Sequence, residues 1–256
     1  MKNKVCIIGM GYVGLTLAGV CLKSGYNITG VELQDEIKQT INNGKAHFYE
    51  PGLNEILKSA VLSKKLHCIH PNEHKKISNC EIFIITVGTP LIPGTENPNL
   101  KYIKSALDTI IPYLGENKLI ILRSTIVVGL TRSELIPYII KNSNLLESQI
   151  NISFAPERTV EGNAISELTD LPQVIGYNNP VAKQLAVNFF RSYVNDIKLV
   201  DSIEAAELVK LFNNVYRDLN FSIGNAFNDI SKYYGLDGYK IIEAANLIDE
   251  RKETKE

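Results

Sequence analysis

The chain has 256 residues, of which 45% are hydrophobic and 21% charged, and its formal net charge at pH 7 is −1. These values are typical of a soluble globular protein with about one or two domains and a sizeable core. A nearly neutral charge gives no electrostatic basis for binding nucleic acid or an anionic membrane surface.

The first predicted unit is a strand, a glycine-rich turn and a helix. Apolar residues 5–8 lead into a G-x-G-x-x-G sequence at 9–14, and an apolar segment continues beyond it. A second strand is predicted at 27–31, and Glu32 follows it, 18 residues after Gly14. This order and spacing are typical of a dinucleotide-binding βαβ unit.

Each position in this unit has a physical role in that interpretation. Gly9 would allow the tight turn, and Gly11 would let the backbone approach a pyrophosphate. Gly14 would let the helix lie close to the strand, and the helix N-terminus would present N–H groups to the phosphates. Glu32 would accept hydrogen bonds from a ribose diol. The alternative is a glycine turn with a purely structural role.

The N-terminus also permits a different interpretation. Lys2 and Lys4 precede an apolar stretch at 5–21, which superficially resembles a secretory signal. Three of its positions are the glycines of the predicted phosphate turn, so the strand–turn–helix interpretation explains more residues. No other segment is long enough to span a bilayer, and we therefore expect a cytoplasmic protein without membrane association.

Cysteine and histidine positions argue against disulfides and metal binding. No C-x-x-C pair occurs, and the histidines share no metal-ligand spacing with acids or cysteines. We expect buried, reduced thiols and no metal site. The cysteines, which lie in predicted strands or helix, are Cys6, Cys21, Cys68 and Cys80, and the histidines are His47, His67, His70 and His74.

Further strands and helices alternate along the chain as far as residue 200. This alternation predicts an α/β fold with a doubly wound, Rossmann-like parallel sheet. Pro137 is expected to kink or shorten its helix. The predicted helices are 35–43, 53–63, 100–114, 129–140 and 180–192, and the later strands are 66–70, 82–87, 119–122, 152–155, 173–177 and 197–200.

Polar side chains follow several of these strands. Thr89 follows one strand, Ser124 and Thr125 the next, and Glu157 with Arg158 another. Ligands of doubly wound folds bind outside the carboxyl ends of the strands, so these residues should line the same edge as the glycine turn. For Glu157 and Arg158 the alternative is an ordinary surface ion pair.

The chain changes character after residue 200. Apolar residues at helical spacing predict one long helix at 202–234 and another at 238–247. The long helix has more apolar surface than one sheet would bury, so we expect it to form a homodimer. We divide the chain into a dinucleotide-binding domain at 1–200, a central helical segment at 201–248 and a charged tail at 249–256.

Two polar residues of the long helix are candidates for chemistry. Lys210 and Asn214 lie four positions apart and share a helix face, with Glu207 and Arg217 flanking them. The lysine could move a proton at a carbinol while the asparagine holds the oxygen. The alternative is a solvated, charged helix face.

Six ordered motifs resemble the UDP-glucose/GDP-mannose dehydrogenase family over nearly the whole chain. The Pro-Glu-Arg form, with Asn213-Asn214-x-Tyr216-Arg217-Asp218, is more similar to the branch acting on UDP-N-acetylhexosamines (UDP-ManNAc or UDP-GlcNAc) than to the UDP-glucose branch, which usually has Pro-Glu-Phe. The motifs are Gly9-x-Gly11-Tyr12-Val13-Gly14, Glu50-Pro51-Gly52-Leu53, Gly88-Thr89-Pro90, Arg123-Ser124-Thr125, Pro156-Glu157-Arg158-Thr159-x-Glu161-Gly162 and Glu207-x-x-Lys210-x-x-x-Asn214.

The resemblance implies an enzyme that oxidises the C6 alcohol of a UDP-sugar to a carboxylate with two NAD, through an aldehyde and a cysteine thioester. Neither Arg nor Lys directly follows Glu32, which favours NAD over NADP. The implied NAD contacts are Tyr12, Val13, Glu32, Thr89 and Thr125. The implied substrate contacts are Arg158, Thr159 and Arg217; Lys210 matches the acid–base lysine, Asn214 the oxyanion-side asparagine, and Glu157 and Glu161 the residues near the hydrolytic water.

One departure from the family pattern leaves alternatives open. The family's catalytic cysteine lies in a glycine-rich segment after the central helices, followed by a UDP-binding domain, and the 256 residues contain neither. We therefore expect the amino-terminal portion of such an enzyme, with a possible partner chain carrying the rest. The alternatives are a two-electron hydroxyacid-type dehydrogenase that uses Lys210 and Asn214, and a non-catalytic NAD-binding remnant or half of a split enzyme.

Overall fold

The computed structural model describes residues 4–248, so the predicted charged tail at 249–256 lies outside the described residues. The chain divides into two compact units, Met1–Lys210 and Leu211–Glu256. Among the described residues, no helix combines the length and apolar character needed to cross a membrane.

The first unit is built on one sheet of eight strands within the described residues, in the order β3-β2-β1-β4-β5-β6-β7-β8. Neighbouring strands are parallel except β6 and β7, which are antiparallel. The predicted doubly wound α/β fold is confirmed, with this one reversal in its parallel sheet. The strands are β1 (Lys4–Ile8), β2 (Asn27–Val31), β3 (Leu66–Ile69), β4 (Ile82–Ile85), β5 (Leu119–Leu122), β6 (Ile152–Phe154), β7 (Gln173–Tyr177) and β8 (Ile197–Leu199).

Helices connect these strands and cover both faces of the sheet. Shorter helical turns occur at Pro71–Ile77, Ile111–Tyr113, Thr131–Leu135 and Glu147–Gln149. The α-helices are α1 (Tyr12–Lys23), α2 (Asp35–Asn42), α3 (Leu53–Leu62), α4 (Lys101–Ile110), α5 (Ile136–Asn142), α6 (Ala164–Asp170), α7 (Pro180–Phe190), α8 (Ile203–Tyr233) and α9 (Gly238–Ile248).

Strand alternation produces a hydrophobic cluster on each face of the sheet. In β1, Val5 and Ile7 belong to one cluster, while Cys6 and Ile8 belong to the other. Helices α1, α3 and α7 supply the first cluster, and α4 and α5 supply the second. A strand buried on both faces is continuously apolar, which explains why β1, β4 and β5 have no polar alternation.

Several element bounds differ from the sequence prediction for identifiable reasons. The strand predicted at 82–87 ends at Ile85, because the hydroxyl of Thr86 bonds to the carbonyls of Ile8 and Gly9 at the strand end. The helix predicted at 129–140 begins at Thr131 as a π-helical turn and continues as α5 from Ile136 to Asn142. Pro137 lies in the first turn of α5, where the hydrogen-bond pattern changes from π-helical to α-helical.

Helix α6 was not predicted. Its sequence, AISELTD, is only seven residues long, and its Ser, Thr and Asp residues also favour turns. Ala164 and Leu168 are buried, so tertiary contacts decide the conformation of this segment.

The second unit contains α8 beyond Lys210 and α9. Gly235, with φ of +69°, ends α8 in the left-handed region, and its N–H bonds to the carbonyl of Lys232. A Cβ at Gly238 would lie 2.4 Å from Oδ1 of Asn228, so the glycine permits close packing of α9 on α8.

The start of α8 belongs to the first unit and is fixed there. Ile203 and Ala206 are fully buried against the second hydrophobic cluster. The buried carboxylate of Glu207 accepts hydrogen bonds from Gly129 N–H at 2.6 Å and from the Thr131 hydroxyl at 2.5 Å. These contacts position Lys210, one turn further along the helix.

Candidate cofactor and substrate site

The glycine turn has the conformation that the spacing predicted. Gly9, with φ of +90°, donates its N–H to the Val31 carbonyl at 2.9 Å, which joins the end of β1 to β2. A Cβ at Gly14 would lie 2.0 Å from the Gly9 carbonyl oxygen and 2.8 Å from Oγ1 of Thr86. Gly14 therefore allows α1 to approach the strand ends, as predicted for the third glycine.

Beside this turn lies a cavity of about 350 Å³ at the carboxyl ends of β1 and β4. Gly9, Gly11 and Glu32 line one side, and Tyr102 and Ala106 line another. A Cβ at Gly11 would meet no atom within 4 Å, and no side chain caps the N-terminus of α1. Open space at a helix N-terminus is suited to the phosphates of a dinucleotide.

Glu32 lies at the end of β2 with its carboxylate bordering the cavity. Its oxygens accept hydrogen bonds from the N–H groups of Met10 at 2.9 Å, Leu33 at 2.9 Å and Gln34 at 3.0 Å. These bonds fix the carboxylate at the border of the cavity.

The loops after β4 and β5 are joined by hydroxyl groups. The Thr89 hydroxyl donates to the carbonyl of Thr125, and the Ser124 hydroxyl donates to the Val87 carbonyl at 2.7 Å. The structure thus brings together Thr89 and Thr125, two of the predicted cofactor residues. Tyr12 and Val13 occupy the first two positions of α1.

A buried ion pair lies where β5 and β6 end. The Arg123 guanidinium, 1% exposed, contacts the Glu157 carboxylate, 9% exposed, and also donates to Oε1 of Gln173 at 3.0 Å. Burial by itself would raise the pKa of Glu157, but the Arg123 charge and hydrogen bonds from Arg123 and Thr159 outweigh burial and lower it to about 2. Glu157 is therefore ionised at neutral pH.

Glu157 also organises its own loop. Its Oε1 accepts hydrogen bonds from the N–H groups of Arg158 and Thr159, both at 2.7 Å. The Lys210 ammonium donates to the Glu157 backbone carbonyl, and the Arg158 guanidinium donates to the carbonyl of Pro172. The structure thus brings Lys210, Glu157, Arg158 and Thr159 together.

The remaining predicted site residues are placed differently. Glu161 is exposed in the loop before α6, and its charge contributes to raising the pKa of Tyr12. Asn214 and Arg217 lie on α8 in the second unit, where Asn214 is half-buried and Arg217 exposed. Their roles remain predictions.

Two important side chains were not given a role from the sequence. Arg123 and Glu50 each lie in a family motif, but neither was assigned a partner. Glu50 is 5% exposed and contacts Tyr12, Gly162 and Ile165. The signal in the sequence was an acid directly before a Pro-Gly turn; its burial, which requires hydrogen-bond donors, is visible only in the structure.

The four cysteines are free, buried thiols of the first unit. Burial raises the pKa of Cys21 and of Cys68 to about 12 and that of Cys80 to about 11, so none of these three is a thiolate at neutral pH. Residues 4–248 contain no group of three or more His, Cys, Asp or Glu side chains arranged to hold a metal ion.

Comparison with known proteins identifies the family. The profile of the UDP-glucose/GDP-mannose dehydrogenase family, NAD binding domain, matches residues 3–194. The chain belongs to this family. The profile of the central domain of the same UDP-glucose/GDP-mannose dehydrogenase family matches residues 204–254. The predicted family and the predicted NAD cofactor are thereby confirmed.

Individual relatives agree with this assignment. A UDP-N-acetyl-D-mannosamine dehydrogenase of Methanococcus vannielii is 32% identical over 247 residues, which cover 95% of this chain and 55% of that protein. The structure of UDP-D-ManNAc dehydrogenase from Pyrococcus horikoshii superposes with a TM-score of 0.88 at 31% identity, covering 96% of this chain and 58% of that one.

The chain is also similar in structure to a member of the family that is named for a GDP-sugar. The ternary complex of GDP-mannose dehydrogenase from Pseudomonas aeruginosa superposes with a TM-score of 0.86 at 26% identity, covering 94% of this chain and 56% of that one. The chain thus spans about half the length of the curated relatives it matches.

Proposed function

We propose that the chain is the NAD-binding and hydride-transfer part of a nucleotide-sugar 6-dehydrogenase that acts on a UDP-N-acetylhexosamine. The observation that carries this proposal is the position of Lys210 and the dinucleotide cavity at the same carboxyl edge of the sheet. The Pro-Glu-Arg sequence and the UDP-N-acetyl-D-mannosamine dehydrogenases among the relatives support this choice of sugar.

The glycine turn and the neighbouring loops would hold NAD. When bound, the nicotinamide ring of NAD would supply the hydride acceptor. The N-terminus of α1, with Tyr12 and Val13, would face the pyrophosphate, and Glu32 would bind the adenosine ribose. Thr89 and Thr125 would border the nicotinamide side, where the loops after β4 and β5 meet.

Lys210 would act at the C6 hydroxyl of the sugar. In the proposed first step Lys210, as the neutral amine, would accept the hydroxyl proton while C6 gives up its hydride, and the C6 alcohol would become an aldehyde. Asn214, one helical turn away, would hold the same oxygen. Arg158, Thr159 and Arg217 would contact the rest of the substrate, as the family resemblance implies.

The two glutamates of the loop would have different roles. The ionised Glu157 carboxylate accepts hydrogen bonds from Arg123 and from two N–H groups of its own loop. We therefore propose that Glu157 positions this loop. Glu161 is exposed and would face the water that hydrolyses the thioester after the second oxidation.

The thiol for the second oxidation, the binding site for UDP and the dimer contacts are further parts of this proposal. No cysteine of the 256 residues lies at the proposed site, so we assign the thiol to polypeptide outside them. We also propose that residues 1–200 and 201–248 are the functional divisions of the chain, and that 202–234 forms a homodimer.

Calorimetric titration of the 256-residue chain with NAD and NADP tests the cofactor assignment. NAD should bind at least about 10-fold more tightly than NADP, because the Glu32 carboxylate repels a 2′-phosphate. Glu32→Gln should narrow this ratio, since the amide keeps an accepting oxygen but has no charge. Glu36→Gln, an exposed control on α2, should leave it unchanged. Absence of NAD binding would overturn the proposal.

Product analysis tests the assignment of the thiol. The 256-residue chain mixed with NAD and UDP-N-acetyl-D-mannosamine should form no uronate, because its cysteines are buried away from the site. Uronate formed by this chain alone would show that the thiol assignment is wrong.

A further inference from the structure

Glu50 joins segments that are far apart in the sequence. Its carboxylate accepts hydrogen bonds from the Tyr12 hydroxyl at 2.6 Å, the Gly162 N–H at 3.0 Å and the Ile165 N–H at 3.1 Å. The Gly162 N–H also lies 3.1 Å from the Tyr12 hydroxyl oxygen. We call these four residues the Glu50 junction.

The two sides of the Glu50 junction belong to different parts of the proposed site. Tyr12 directly follows Gly11, the glycine that borders open space at the dinucleotide cavity. Gly162 ends the loop that begins at Glu157, whose carbonyl accepts the hydrogen bond from Lys210. One buried carboxylate therefore connects the glycine turn at 9–14 to the loop at 157–162, which we call the substrate loop.

The chemistry of the Glu50 junction favours a stable link at neutral pH. Burial and the hydrogen bond to Glu50 raise the pKa of Tyr12 to about 12, so the phenol keeps its proton and donates a hydrogen bond to the carboxylate. A charged acceptor strengthens each of these hydrogen bonds. A carboxylate suits this link, because it accepts hydrogen bonds from the phenol and from both N–H groups and carries no donor of its own.

We propose that Glu50 is a positioning residue that couples NAD binding to the ordering of the substrate loop. The proposal rests on the proposed function, because it requires NAD in the cavity beside Gly11. A ligand that restrains the glycine turn restrains Tyr12, and this lowers the entropic cost of holding Glu50 against Gly162 and Ile165. By linkage, an ordered loop must favour NAD by the same factor.

A purely structural role for Glu50 makes a different prediction. Glu50 would then cap the N-terminus of α6 equally well with and without NAD. The two roles therefore differ in whether NAD slows hydrogen exchange of the backbone amides in the loop. NMR measures this exchange at the amides of Gly162 and Ile165.

The experiment compares exchange with and without saturating NAD in the 256-residue chain and three variants. In wild type, NAD should slow exchange at Gly162 and Ile165 roughly 3- to 10-fold, the range expected for strengthening a hydrogen bond. Glu50→Gln should abolish this effect and weaken NAD binding by a similar factor. Tyr12→Phe should abolish it too, while the carboxylate still holds both amides and α6 stays folded.

Glu167→Gln is the matched control. The Glu167 carboxylate accepts from the Val160 N–H at 2.7 Å, so it holds the same loop without reaching α1. This variant should speed exchange at Val160 and leave the NAD effect at Gly162 intact.

The outcomes separate the two proposals. Absence of NAD binding by wild type would overturn the proposed function itself. NAD binding without a change in exchange at Gly162 and Ile165, or an undiminished NAD effect in Tyr12→Phe, would overturn the coupling alone. If Glu50→Gln does not fold, Tyr12→Phe decides the question.

Discussion

Arg123 and Glu157 show how single residues set the chemistry of this site. Burying two charges is costly unless each finds its partners, and breaking such a pair leaves an uncompensated charge. Arg123 bonds to Glu157 and Gln173, while Glu157 also accepts two backbone N–H groups. The ion pair fixes the substrate loop between two strand ends, which is why we assign Glu157 to positioning.

The contribution of this pair to the stability of the protein should become pH-dependent below about pH 5. The Glu157 pKa is about 2 in the folded protein and about 4.5 when unperturbed. The contribution of the carboxylate to the free energy of unfolding is therefore fully present above about pH 5 and is lost as the pH falls toward 2. At pH 7, Glu157→Gln should lower the free energy of unfolding by about 3 kcal/mol or more, through the unpaired Arg123.

Urea denaturation between pH 2.5 and 7 measures this effect. The difference between wild type and Glu157→Gln should be constant above pH 5 and shrink below pH 4. Glu161→Gln, in the same loop but exposed, should follow wild type at every pH. A difference that does not change with pH would mean that Glu157 carries no ionised contact of this strength.

At the scale of elements, two glycines of the same turn are needed for different reasons. One allows α1 to pack against the strand ends, and the other leaves space for the proposed ligand. Gly14 lies against the Gly9 carbonyl, so a methyl group there cannot be accommodated without moving α1. Gly11 has an extended conformation with φ of −66°, which any residue can adopt, and open space beside it. The two glycines should therefore respond differently to the same substitution.

Gly14→Ala should lower the free energy of unfolding by about 1–3 kcal/mol or more, the usual range for overpacking. Gly11→Ala should change it by less than about 0.5 kcal/mol. Its NAD affinity should nevertheless fall at least 10-fold, because the methyl group enters the space proposed for the pyrophosphate. Urea denaturation and calorimetry together check both variants, and unimpaired NAD binding by Gly11→Ala would contradict the placement of the cofactor.

The parts of the fold and site that could be predicted from the sequence are those in which neighbouring residues form one pattern. The glycine turn and Glu32 form one continuous βαβ unit, so spacing alone placed them. The Arg123–Glu157 pair spans 34 residues and the Glu50–Gly162 contact spans 112, and no local pattern links such partners. The reversal of β7 was missed for the same reason, since strand direction depends on the path of the intervening chain.

At the scale of the whole molecule, α8 has two different environments. Its first turns are buried in the first unit through Ile203, Ala206 and Glu207. Beyond Lys210, its side chains belong to the second unit and include large apolar groups at helical spacing. Each of these is at least 49% exposed in the single chain: Phe212, Val215, Leu219, Ile223, Phe227 and Ile230.

We propose that this apolar stripe is an interaction surface and that its occupant is the same stripe of a second copy of the chain. Light scattering at micromolar concentration should give twice the mass of one chain. Leu219→Glu places a charge in the middle of the stripe and should weaken the dimer by at least about 10-fold, since buried central residues carry most interface energy. Asn225→Glu adds the same charge to the opposite face and should leave the mass unchanged. A monomeric wild type would refute the dimer, and a dimer that survives Leu219→Glu would place the interface elsewhere.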